Sequence, residues 1–239
     1  MTDFNSPATD ALDAEGLVPE PHEEIRHHFE DQLDEIRVRL VDLGTMTLDN
    51  IRRAGEVVLE NRLDEVEAVK AADLPINEEY RALEERVFLI LALQQPVASD
   101  LRFLVVATRI LYEIERCGDL AVNMVKSLDR IDGIPADQTL HSILGRLAEA
   151  ATAMFARGIE AIATMDADIG LGAESEDELT DDITSELFSA VTARQDDIGL
   201  EASVALFYIG RFLERIADHG VNIAQNITFA VTASFPEDD

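Results

Sequence analysis

Two segments place a glutamate and an aspartate four residues apart beside an arginine: Glu115-Arg116-Cys117-Gly118-Asp119 and Glu214-Arg215-Ile216-Ala217-Asp218. On a helix that spacing sets both carboxylates on one face, one turn apart, where anionic oxygens can share a cation. Two further polar pairs repeat the step of four: Asp177 with Asp181, and Asp73 with Asn77. If each lies on the helix running antiparallel beside the matching Glu/Asp pair, four oxygen-bearing side chains converge on one patch. With neither sulfur nor imidazole among the ligands, such a patch suits a hard cation: Mg²⁺, Mn²⁺, Ca²⁺ or iron. The competing explanation is plain surface charge. With 49 acidic residues in 239, about ten acid pairs four apart arise by chance. One pair alone therefore says little. Matched pairs in a repeat say more, although duplication copies surface charge as readily as it copies sites.

The two segments are copies of each other. A shift of 99 residues carries Glu115, Arg116, Asp119, Val122 and Asn123 onto Glu214, Arg215, Asp218, Val221 and Asn222. Around the first copy, Phe103, Ala107, Ile110, Ile114, Cys117, Ala121, Met124 and Leu128 form the apolar seam of a long packed helix. The same register around the second copy reads Ala202, Leu206, Ile209, Leu213, Ile216, Gly220, Ile223 and Ile227. This is a tandem duplication of a helical unit, with Glu115 and Asp119 flanking the core rather than sitting in it.

The elements that must position these residues are helices throughout. Residues 1–20 are acidic, turn-rich and without period, the pattern of a disordered tail. From Pro21 to about Glu60 the apolar spacing is helical, with a weak point at Gly44. A second helical stretch covers about Arg62 to Gln94 and is interrupted at Pro75, which removes a backbone hydrogen bond and crowds the preceding turn. A third follows the turn Gln95–Asp100, capped by Ser99 or Asp100, and ends near Asp129. Three more helices repeat the cycle, the fifth (about Asp168 to Ala193) weakened by Gly170 and Gly172 and the last fraying from Ser234. The fold class is thus all-α: two three-helix bundles in tandem, residues 21–131 and 136–233. No Val/Thr-rich alternating stretch argues for a strand.

Composition narrows the partners. The formal net charge of −30 repels nucleic acid and anionic membrane, which discounts both as direct ligands, and favours cations or basic surfaces. No apolar run approaches a membrane span and no secretory signal precedes the first helix, so a cytoplasmic protein without membrane insertion is expected. The single cysteine, Cys117, occupies a seam position and reads as a buried inert thiol. Arg116 and Arg215 are expected to pair with neighbouring carboxylates across a turn. Asn123 and Asn222 can bond between helices or extend the polar patch. His219 points about 100° away from Asp218 and is expected to be exposed or capping. One Glu-x-x-His, Glu24 to His27, falls short of a di-iron bundle, which needs two with two further glutamates.

Taken with Phe29-Glu30-Asp31-Gln32-Leu33-Asp34-Glu35-Ile36 in the first helix and Gln95-Pro96-Val97-Ala98-Ser99-Asp100-Leu101-Arg102 before the third, the two Glu-Arg-x-x-Asp segments resemble the PhoU family of phosphate-signalling regulators. The likeness covers about residues 22–232. It implies a non-enzymatic, commonly dimeric regulator that connects a phosphate ABC transporter, through its ATPase, to a sensor histidine kinase and restrains the phosphate-starvation response. It also implies carboxylate motifs that bind divalent or trivalent metal ions (iron, manganese, magnesium or zinc). Carried across residue by residue, one site would use Asp177, Asp181, Glu214 and Asp218. The other would use Asp73, Glu115 and Asp119, with Asn77 where an acid is expected and Pro75 between the members of the pair. Four carboxylates against three and an amide make the second site the stronger expected binder. Two other classes compete: a metal-dependent helical enzyme of di-iron oxidase or phosphatase type, which lacks the duplicated Glu-x-x-His and an evident nucleophile, and a helical scaffold that binds no metal.

Overall fold

A computed structural model describes the backbone of residues 21–235, and within that span every side chain except those of residues 21–25 and 174–177. The tail expected at residues 1–20 and the side chains of Glu24 and Asp177 therefore lie outside the described residues. Among the described residues every regular element is helical. Helix α1 spans Pro21–Leu59, a 3-10 turn Leu63–Glu65, α2 Val66–Gln94 and α3 Ala98–Asp129. The second unit follows with α4 Gln138–Thr164, α5 Ala167–Ala193, a one-turn α6 Gln195–Ile198 and α7 Leu200–Thr232. No described helix is long and apolar enough to cross a membrane.

Both apolar seams are buried, apart from Phe103 and Ala202 at their starts, which are partly buried. Each unit is a three-helix arrangement: α1, α2 and α3 contact one another, as do α4, α5 and α7. The units are not beads on a string. Helix α3 also packs on α7, and α1 on α4, so one continuous core runs through both halves, with α2 and α5 on its flanks. Contacts between Arg102 and Ala230, Glu113 and His219, and Cys117 and Ile216 show α3 and α7 running antiparallel. Cys117 faces Ile216, its own counterpart in the duplication, so the pseudo-two-fold axis relating the halves passes through this contact.

Four local expectations change. Pro75 does not break α2, which continues to Gln94. The carbonyl that a proline leaves free belongs to Ala71, which is exposed, so water can satisfy it, while buried Asp73 and Ile76 hold the turn against the bundle. Gly44 does not weaken α1, because a Cβ there would overlap the Ile159 side chain; the glycine lets α1 and α4 approach closely. Neither Gly170 nor Gly172 interrupts α5. At the start of α3 neither Ser99 nor Asp100 caps the helix. The N-cap is Val97, whose carbonyl accepts from the Asp100 amide at 3.2 Å, and Ser99 Oγ turns to Asp100 Oδ1 instead.

Candidate metal centres

The α2/α3 pair assembles the first set of oxygens. Asp73 lies on the inner face of α2, 9 % exposed, and accepts a 2.6 Å hydrogen bond from Asn77 Nδ2 one turn on. It fits against α3 because residue 118 is glycine: a Cβ at Gly118 would stand 2.7 Å from Asp73 Oδ1. Glu115 and Asp119 project from the same side of α3, with side chains 18 % and 41 % exposed. Arg116 reaches both, at 3.1 Å to each, which is the pairing across a turn expected from sequence. Burial pushes the Asp73 carboxyl above the ordinary carboxylate range, and the Asp119 charge adds to it. Glu115 is raised for the same reasons, burial first and then Asp119, with Arg116 opposing. Asp73, Glu115 and Asp119 thus share one electrostatic environment, to which Asn77 contributes an amide.

The α5/α7 pair assembles the second. Glu214 and Asp218 stand one turn apart on α7, and Asp181 faces them from α5 at an exposed position. Burial raises the Asp218 carboxyl, and the charges of Glu214 and Asp181 raise it further. The arginine here is not the expected one. Arg215 points outward and exposed, while Arg211, three residues before Glu214, pairs with Glu214 Oε1 and lies within electrostatic reach of Asp181 and Asp218. Glu214 Oε2 is buried without a hydrogen-bond partner. So is the hydroxyl of Thr184, which stands one turn beyond Asp181 on α5 and is 4 % exposed.

Both sets suit a hard cation in donor chemistry: carboxylate and amide oxygens, without sulfur or imidazole. The unpartnered Glu214 oxygen is a buried anionic acceptor of the kind such a cation would engage. Among the described residues, however, no three acidic, histidine or cysteine side chains already converge to chelating geometry. Their oxygens are turned to Arg116, Asn77 and Arg211 instead. A metal would have to take those oxygens over.

One other residue departs from expectation. His219 is 9 % exposed rather than on the surface; its Nδ1 lies 2.5 Å from Glu113 Oε2 across the α3/α7 seam, and Asn222 Nδ2 donates to the same oxygen at 3.4 Å. Pointing 100° away from Asp218 does not mean pointing to solvent on α7, which has α3, α4 and α5 packed around it. Asn222 therefore bonds between helices, one of the two roles open to it. Cys117 is buried, as expected for a seam thiol. Arg211, Thr184 and Glu113 were missed. For Arg211 a signal existed, since a basic residue three before Glu214 shares its face.

Comparison with known proteins agrees with this architecture. The PhoU domain model matches twice, over residues 40–128 and 144–227. The chain is 32 % identical over 218 residues to the phosphate-specific transport system accessory protein PhoU homolog 1 of Mycobacterium leprae, covering 90 % of this chain and 97 % of that one. It is 27 % identical to the Synechocystis accessory protein PhoU homolog, over 87 % of this chain and 92 % of that one. The crystal structure of PhoU from Pseudomonas aeruginosa superposes with a TM-score of 0.81 at 24 % identity, covering 86 % of this chain and all of that one. The phosphate transport system regulatory protein PhoU from Streptococcus pneumoniae gives 0.77 at 23 %, covering 88 % and all, respectively. With both halves matched in order and the duplicated Glu-Arg-x-x-Asp segments on equivalent helices, the chain belongs to the PhoU family.

Proposed function

We propose that the protein is a cytoplasmic, non-enzymatic regulator accessory to a phosphate ABC transporter, coupling its ATPase to a sensor histidine kinase and restraining the phosphate-starvation response. The observation that carries this reading is the double match to the PhoU domain, reinforced by relatives named as phosphate-specific transport accessory proteins across nearly their whole length. The acidic surface suits an adapter that meets basic partner surfaces rather than nucleic acid. Deleting the gene and measuring phosphate-responsive transcription at high phosphate tests the reading. Transcription that rises supports it, and unchanged transcription overturns it.

The carboxylate sets are regulatory metal sites in this proposal, held by Asp181, Glu214 and Asp218 with Asp177 in one half, and by Asp73, Glu115 and Asp119 with Asn77 in the other. A di- or trivalent cation, whether iron, manganese, magnesium or zinc, would neutralise groups that burial and mutual repulsion now strain. The protein acts as a homodimer, and light scattering across a wide concentration range checks that assembly; a monomer throughout would remove it.

A further inference from the structure

We infer that Arg211 is a built-in counter-ion of the second carboxylate set, which a metal ion must displace before it can bind. The inference rests on the metal-site reading above. Its basis is the ion pair between Arg211 and Glu214 Oε1 on one face of α7, within electrostatic reach of the carboxylates of Asp181 and Asp218. Arg211 is anchored by nothing else described, and its side chain is 52 % exposed, so it can swing out into water. Glu214 is 15 % exposed and fixed on the packed side of the helix, so it cannot follow. One carboxylate oxygen, Oε2, stays buried and unpartnered beside the arginine-bound one. A guanidinium satisfies Glu214 from one side only, whereas a cation seated between α5 and α7 would engage the oxygen it leaves unmet.

The duplication argues that this is a particular feature rather than inherited surface charge. The position equivalent to Arg211 in the first half is Tyr112, and the first set uses Arg116 instead, from a different place on its helix. The Arg116 position is arginine in both halves, whereas Arg211 has no arginine counterpart in the first half. Arg215, the true counterpart of Arg116, is exposed and not the partner of Glu214. A competing internal cation sets a threshold: the site stays closed to weakly bound ions and opens to one that outbids a guanidinium for Glu214.

Titration of the full-length protein with Mn²⁺ by calorimetry at fixed ionic strength tests this on three variants. Arg211→Gln should bind Mn²⁺ roughly fivefold or more tightly than the parent, because one competing ion pair is gone. Arg211→Lys should return toward parental affinity. Arg215→Gln, which removes the same charge one turn away, should change affinity by less than about twofold, since an exposed charge at that distance is largely screened. In the absence of added metal, Arg211→Gln should also lower the melting temperature more than Arg215→Gln does, with Mn²⁺ reversing the difference. Saturable binding that is equal in parent and Arg211→Gln, or raised equally by both glutamine variants, would overturn the counter-ion role and leave the metal site standing. Absence of saturable binding in the parent and in every variant would overturn the metal site, and the counter-ion role with it.

Discussion

In the first half Arg116 bridges Glu115 and Asp119 while Asn77 donates to Asp73, so every acidic side chain of the set has a partner. In the second half Arg211 holds Glu214 by one oxygen, and the other is left without a partner. The two sets descend from one ancestral helix pair, yet they neutralise their charge differently. The first is closer to self-sufficient, built around a deeply placed aspartate and its amide. The second has more charge than its own side chains offset. Duplication therefore preserved the carboxylates and let the neutralising groups drift, and on the proposed metal-site reading that drift makes the halves unequal.

The largest expected effect lies at the seam where the halves are least alike. Glu113 and His219 meet across α3 and α7, but their counterparts in the duplication are Phe212 and Leu120. Truncating Glu113 to leucine strands a buried imidazole and should cost about 2–3 kcal/mol. Adding His219→Leu to that variant should restore most of the loss, because the seam then copies the apolar pair of the other half. Chemical denaturation of the two singles and the double checks this; singles whose losses simply add would break the comparison.

Next comes the glycine that admits Asp73. Gly118→Ala pushes a Cβ against a buried, hydrogen-bonded carboxylate and should destabilise by about 1–2 kcal/mol. The equivalent residue in the second half is already alanine, buried Ala217. Ala217→Gly should cost about 1 kcal/mol through helix propensity alone. Melting curves of the two variants, with and without Asp73→Ala in the background, sharpen the contrast: removing the carboxylate should shrink the loss caused by Gly118→Ala and leave the loss caused by Ala217→Gly unchanged.

The smallest effect concerns pH. Asp73, Glu115 and Asp218 bind protons more tightly folded than unfolded, because burial and neighbouring carboxylates raise them. The native state therefore gains stability as pH falls from neutral toward the ordinary carboxylate range, and the gain is complete once pH drops below the unfolded values. Asp73→Asn, which is neutral at every pH, should stabilise the metal-free protein at pH 7 and progressively less as pH falls, the difference vanishing below about pH 3. A stabilisation that persists unchanged at pH 4 would mean that the gain is not electrostatic.

Much of this was legible in the sequence. The seams, the 99-residue shift and the long helices follow from apolar spacing, because a helix buried along one stripe must repeat that stripe. The nearness of Asp73 to Glu115 and Asp119, and of Asp181 to Glu214 and Asp218, follows from spacing on helices whose neighbours the bundle dictates, while the Asp177 side chain lies outside the described residues. What escaped depends on what packs around a helix rather than on the helix itself. The angle of His219 to Asp218 predicts exposure only if that face of α7 meets solvent, whereas the helix has partners on three sides. Pro75 looked like a break because a lost hydrogen bond was weighed without the flank that holds α2 in place. Spacing offers Arg215 as a partner for the neighbouring carboxylates, but Arg211, three residues before Glu214, takes that place and Arg215 is exposed.

The inequality of the two carboxylate sets is tested most directly by Mn²⁺ titration of Asp119→Asn and Asp218→Asn at matched ionic strength. Losing one anionic ligand from the set richer in charge should weaken the tighter binding event by about tenfold or more, so Asp218→Asn should lower affinity well beyond Asp119→Asn. Equal losses in the two variants, or a larger loss in Asp119→Asn, would contradict it.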